Sequence, residues 1–144
     1  MGEKKIHLRV ITPQEVKVDK MVDMVIMRCQ NGDIGILPGH EPTSAVLGDG
    51  ILRIRNDSAE KRIAVFGGIV EINHDRVNIV TSSAERPEDI DLARAESDKL
   101  QAEMLLKERS DGAKIQGYQA LLRRALVRIE VSTDSIISEQ DEDE

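Results

Sequence analysis

Aromatic side chains are nearly missing from this chain: Phe66 and Tyr118 stand alone and there is no tryptophan. That weakens any reading that needs stacking platforms, such as single-stranded nucleic acid binding. Cys29 is the sole cysteine, so no intrachain disulfide can form, and in a strand it reads as a small hydrophobe suited to a reducing compartment. No apolar run approaches the roughly 18 to 20 residues that span a bilayer. The opening MGEKKIHLRV lacks a long apolar core and a small-residue cleavage site, which predicts a soluble, unexported protein. Enzyme signatures are missing too, with no GK[ST] loop, GxSxG, HExxH or CxxC. His7, His40 and His74 fall in separate elements without metal-ligand spacing. His7 reads as a strand residue and His74 as a turn residue, while His40 follows Pro38-Gly39 on a loop tip, where binding residues concentrate.

Charge is present and unevenly placed. The chain has 144 residues and a formal net charge of −7, and all of that excess sits after Ile129, where seven acids face no Lys or Arg. A tail ending in Glu139, Asp141, Glu142, Asp143 and Glu144 cannot offset its ordering entropy by apolar burial, so residues 131–144 are expected to be a disordered acidic tail. The length suits one good core, or one small core with an appendage.

From Ile6 to Thr81, short apolar runs of period two are broken every eight to twelve residues by turn residues, the pattern of an antiparallel sandwich of about eight to ten short strands. Ile6, Leu8 and Val10 alternate with polar neighbours, Val16 and Val18 alternate with Lys17 and Asp19, and Met24 to Cys29 is denser. Asn31-Gly32 turns the chain into a short strand at Ile34 to Leu37. Residues Pro38 to Val46 look too irregular for a strand, and Gly67-Gly68 separates Ile63 to Phe66 from Ile69 to Ile72.

The period changes at Pro87, which suits a first helical turn, with Glu88, Asp89 and Asp91 at the positive end of the helix. Ala93, Ser97, Leu100 and Met104 give this first helix one narrow seam. Ser110-Asp111-Gly112 breaks it and offers a cap, and Ile115, Tyr118, Leu122, Ala125 and Ile129 give a second helix the same logic. The expected layout is a sandwich over residues 1–86, an antiparallel two-helix hairpin over 87–130, then the tail. Narrow, alanine-rich seams bury little area, about 25 cal/mol per Å², so such a hairpin should be able to open.

Arg123, Arg124 and Arg128 are the one local cationic group of the hairpin. Antiparallel helices would bring them near Asp91 and Arg94. That set reads either as surface ion pairs worth about 0 to 1 kcal/mol each or as an anion site, since guanidinium forks match phosphate oxygens. DNA binding fails on charge, because a neutral hairpin beside an acidic tail lacks the required footprint.

Six segments in order, VITPQEV at Val10 to Val16, NGDIGILPGHEP at Asn31 to Pro42, GILRI at Gly50 to Ile54, FGGIVEI at Phe66 to Ile72, SAERPEDIDLARA at Ser83 to Ala95 and LRRALVRI at Leu122 to Ile129, resemble the epsilon subunit of bacterial F-type ATP synthase. The resemblance covers about Leu8 to Ile129. It implies a non-catalytic rotor subunit whose sandwich binds the gamma subunit and rests on the c-ring, coupling them during proton- or sodium-driven ATP synthesis. It further implies a hairpin that folds down or extends along gamma to obstruct hydrolysis. Asn31, Asp33, His40 and Glu41 would then face the c-ring, and Arg123, Arg124 and Arg128 would meet acidic loops of the catalytic beta subunits. Such proteins sit at the cytoplasmic face of the bacterial plasma membrane, peripherally.

Several relatives bind ATP through an IDxxRA motif. Ile90, Asp91, Arg94 and Ala95 match it, Glu85 matches an upstream acid, and Arg124 with Arg128 match the second-helix arginines. Gln101 departs, standing where strong ATP binders have a basic residue, so the resemblance implies a weak regulatory ATP site and no required cofactor. A free-standing ATP-sensing module is the alternative from another class, and only a rotor subunit should recover gamma and the catalytic head in a pull-down.

Overall fold

The computed structural model describes residues 4–108 and 112–142, and for residues 113 and 134–142 it gives the backbone alone. The chain divides into two compact units, Met1–Glu85 and Arg86–Glu144. The first is all strand: β1 (Ile6–Ile11), β2 (Val16–Val22), β3 (Met24–Cys29), β4 (Gly32–Ile36), β5 (Thr43–Asn56), β6 (Ala59–Ile72), β7 (Arg76–Val80) and β8 (Ala84–Glu85). They form one continuous sheet in the order β2-β1-β7-β6-β5-β3-β4, with β8 on β6, folded on itself as a sandwich around Leu8, Val10, Val22, Val25, Ile36, Leu52, Val70, Val77 and Ile79.

Alternation in the sequence marks the buried face, but two expectations change. The sheet is mixed, because β1 runs parallel to β7 while the other pairs are antiparallel. Local patterning specifies which face a residue takes and not which strand lies beside it. The chain is also less interrupted than its glycines suggest. Thr43 to Val46 belongs to the fourteen-residue β5, and β6 runs unbroken through Gly67-Gly68. These glycines mark corners rather than ends: φ is +71° at Gly67 and +125° at Gly68, and a Cβ on Gly68 would collide with the Val80 carbonyl oxygen.

The second unit opens with a 3-10 turn at Pro87–Asp89, followed by α1 (Leu92–Lys107) and α2 (Gly112–Glu142). The helices pack on each other and the turn packs on α2. On α2 the expected seam holds in outline, with Ala125 buried and Ile115, Tyr118, Leu122 and Ile129 half-buried. On α1 it does not. Ala93, Ser97, Leu100 and Met104 are exposed, and the buried residues are Ala95 and Ala102. α2 also continues past the expected end near residue 130, with Val131 and Ser132 buried and the helical backbone reaching Glu142. The Ser110-Asp111 break and the last two acids, Asp143 and Glu144, lie outside the described residues.

Candidate functional site

The outer surface of the sandwich carries an apolar line that crosses five strands. Val46 lies opposite Ile69, Ile69 opposite Val80, Val80 opposite Ile11, and Ile11 opposite Val16. Val46, Ile69, Val80 and Val16 are 50%, 55%, 58% and 42% exposed, so four β-branched side chains in register face solvent. At roughly 4.8 Å per strand the line runs about 19 Å. A bulge completes it: the register shifts between Val10 and Ile11, so Val18 pairs with Val10 while Val16 pairs with Ile11. Strict alternation would have put Val16 and Val18 on the same face; the extra residue turns Val16 outward. Beside the line runs a polar row, Asp19, Arg9, Asn78, Glu71 and Ser44, each opposite the next. An apolar centre with a polar flank is an arrangement that protein interfaces share.

Sequence reasoning missed this line. Its members read individually as strand hydrophobes, and only cross-strand register joins them.

The residues expected to face the c-ring fall into two groups. Asn31 and Asp33 sit at the β3–β4 turn, exposed, with Arg28 Nε 3.7 Å from Asp33 Oδ1. His40 and Glu41 lie beyond the other end of β4. There the Gly39 N–H donates to the His74 carbonyl at 2.6 Å and His40 Nδ1 donates to the Glu41 carbonyl at 2.8 Å. One five-residue strand, about 16 Å, separates the groups.

In the hairpin, Asp91 is the N-cap of α1 and its Oδ1 accepts the Arg94 N–H at 3.1 Å. The acid and base of the IDLARA segment are thus joined through the main chain. Ala95 is buried, Ile90 is half-buried, and Arg94 is exposed. Ahead of them, the Arg86 N–H donates to Asp89 Oδ2 at 3.1 Å and the Asp89 N–H donates to the Arg86 carbonyl at 2.9 Å, which fixes the turn. Arg123 and Arg124 are exposed on α2 and Arg128 is half-buried. Glu85 ends β8 in the sandwich. Among the described residues no group of three or more His, Cys, Asp or Glu could hold a metal ion, and no helix is long and apolar enough to cross a membrane.

A folded sheet with an apolar outer line, followed by a helix pair whose motif acid caps its own helix, defines a two-part class of protein, a strand sandwich joined to a helical hairpin. Profile comparison agrees in both parts. The profile described as ATP synthase, Delta/Epsilon chain, beta-sandwich domain matches residues 5–87, and the one described as ATP synthase, Delta/Epsilon chain, long alpha-helix domain matches residues 88–133. Among curated proteins, the ATP synthase epsilon chain of Bacillus velezensis is 39% identical over 129 residues, covering 90% of this chain and 98% of that one. The epsilon chain of Priestia megaterium is 43% identical over 108 residues, covering 75% and 81%. The chain belongs to the family of bacterial F-type ATP synthase epsilon subunits. In fold it resembles a chain of the Euglena gracilis mitochondrial ATP synthase (OSCP/F1/c-ring), with a TM-score of 0.77 at 23% identity, covering 90% of this chain and 81% of that one.

Proposed function

We propose that this chain is the non-catalytic central-stalk subunit that couples the gamma subunit to the c-ring during proton- or sodium-driven ATP synthesis and restrains ATP hydrolysis through its hairpin. The observation that carries the reading is the five-strand apolar line in a chain of this family. Covering four half-exposed Val and Ile side chains yields on the order of several kcal/mol, the apolar centre of what has to be a larger interface. In this reading gamma covers the line from Val16 to Val46. Asn31 and Asp33 at one end of β4, with His40 and Glu41 at the other, supply contacts for the ring's polar loops. Arg123, Arg124 and Arg128 meet acidic loops of the catalytic beta subunits when the hairpin extends. The protein then works at the cytoplasmic face of the plasma membrane as a peripheral component of the complex.

ATP enters as a weak regulatory ligand of Ile90, Asp91, Arg94, Ala95, Arg124 and Arg128, with Glu85 upstream. Calorimetry showing no heat at millimolar ATP would remove that part.

The central test is the double variant Ile69→Asp and Val80→Asp in the complete chain. It should melt like the parent and lose co-purification with gamma, and retention of gamma would sink the docking assignment. Truncation after Arg86 tests the brake separately. Hydrolysis by the reconstituted complex should rise with coupling retained, whereas unchanged hydrolysis would leave the hairpin without that role.

A further inference from the structure

The β5–β6 ribbon carries an arginine cluster that neither the docking line nor the hairpin uses. Arg53 lies directly opposite Arg62, and Arg55 directly opposite Glu60, so all four occupy one face of the ribbon. Like charges in opposing positions destabilise a sheet. Glu60 answers for all of them: its Oε1 is 2.9 Å from Arg55 Nε and 3.1 Å from Arg53 Nη2, and its Oε2 is 2.7 Å from Arg62 Nε. Two guanidinium groups therefore share a single carboxylate oxygen. Arg53 and Arg55 each have five N–H donors in a rigid fork, and one shared oxygen satisfies few of them. Arg53 Nε is buried with no hydrogen-bond partner. On the other side of β5, Met24 lies opposite Arg55 and Ile26 opposite Arg53, both half-buried. Next to them Gly35 makes room for the Met24 side chain, whose Cε lies 2.9 Å from where a Cβ would stand.

We propose that Arg53 and Arg55, with Arg62 beside them, form an oxyanion site that takes a phosphate group, with Met24 and Ile26 as an apolar margin for the organic part of a phosphate ester. A tetrahedral phosphate presents oxygens in several directions and can engage forks that diverge around Glu60. A carboxylate, with two coplanar oxygens, matches one fork only. Glu60 acts as the internal template that orients the forks. The same chemistry could come from a soluble phosphate or from an anionic lipid headgroup.

The test uses the full chain with arginine side chains labelled for NMR. Inorganic pyrophosphate is titrated in one arm. Vesicles of phosphatidylglycerol, against phosphatidylcholine, form the second, and polyglutamate forms the third. Pyrophosphate is expected to shift the Arg53 and Arg55 Nε resonances, and Arg55→Gln should weaken that binding by about tenfold or more. Arg55-dependent capture by phosphatidylglycerol vesicles alone would support the site with a lipid as its source. Arg55 is 45% exposed, so the variant should fold. Should it not, Arg55→Lys, which keeps the charge and loses the fork, is expected to weaken binding in the same direction. No shift with either phosphate source, equal binding of polyglutamate, or binding unchanged by both Arg55 variants would overturn the proposal.

Discussion

Asp91 Oδ1 accepts the Arg94 backbone N–H at 3.1 Å, so the carboxylate of the IDLARA segment is the cap of the helix that begins there. The family resemblance assigns the same residue to ATP, and the two roles separate by substitution. Asp91→Ala should cost the hairpin about 1 kcal/mol through loss of the cap, whether or not nucleotide is present. Asp91→Asn keeps a capping oxygen and removes the charge, so helicity should hold. If Asp91 also contacts ATP, the Asn variant will lower the nucleotide heat in calorimetry even though its helix is intact. Equal heats for Asn and the parent would confine Asp91 to capping.

Glu60 gives the sandwich a specific acid sensitivity. Burial by itself would raise its pKa, but hydrogen bonds from Arg55, Arg62 and Arg53 outweigh that and hold it at about 2, against 4.5 for a free glutamate. A carboxyl with a depressed folded pKa contributes stability that is complete above the unfolded value and disappears as pH falls through the folded one. Comparing urea unfolding of the parent with Glu60→Gln should show a difference of about 1 to 3 kcal/mol at pH 7, after allowance for solvent screening. It should narrow between pH 4.5 and 2. A difference that stays constant across that window would show that the arginines do not set the Glu60 titration.

The turn joining β5 to β6 carries, at its second central position, a side chain that disfavours it. Asp57 and Ser58 have φ of 53° and 69°, the left-handed pair a two-residue hairpin turn requires and that Asn-Gly meets most easily. Asp23 Oδ2 compensates by accepting the Asp57 N–H at 2.8 Å. Ser58→Gly should stabilise the protein by about 0.5 to 1 kcal/mol in chemical denaturation. Asp23→Ala should lower stability, because it removes the acceptor of the Asp57 N–H and leaves Lys5 as the turn's remaining side-chain tie.

Glycine corners behave in the opposite way. Gly68→Ala should cost more than about 3 kcal/mol, because a positive φ and a collision with the Val80 carbonyl combine where β6 passes β7. Gly39, with φ +88° and nothing near its missing Cβ, should lose only about 1 kcal/mol on the same change. Comparable losses at both sites would mean that backbone strain, and not the close approach, decides the cost.

Much of this molecule is legible from its residues. Alternation through Ile6, Leu8 and Val10 identifies inward-facing positions, all of them buried, and Pro87 marks the change to helix. What stays hidden depends on neighbours distant in sequence. Nothing local announces that β1 pairs with β7 in parallel, or that Val16, Ile11, Val80, Ile69 and Val46 meet across five strands. The c-ring candidates can be named residue by residue, but their division between the two ends of β4 is a matter of strand length that the motif alone does not show.

The first helix shows where periodicity misleads. Apolar residues lie all round α1, at Leu92, Ala93, Ala95, Leu100, Ala102, Met104, Leu105 and Leu106, so no single stripe dominates and bulk favours the wrong one. Burial goes instead to Ala95 and Ala102, seven residues apart, because small side chains let helix axes approach closely, while Leu100 and Met104 remain 62% and 65% exposed. Ala102→Leu should therefore overpack and destabilise the chain by about 1 to 3 kcal/mol. Leu100→Gln with Met104→Gln should change stability by no more than about 0.5 kcal/mol. In the reconstituted complex the order should reverse if the extended hairpin meets its partners through this outer stripe. The glutamine pair, harmless to the free chain, would then release ATP hydrolysis, and no release would assign the contact to the arginines of α2 alone.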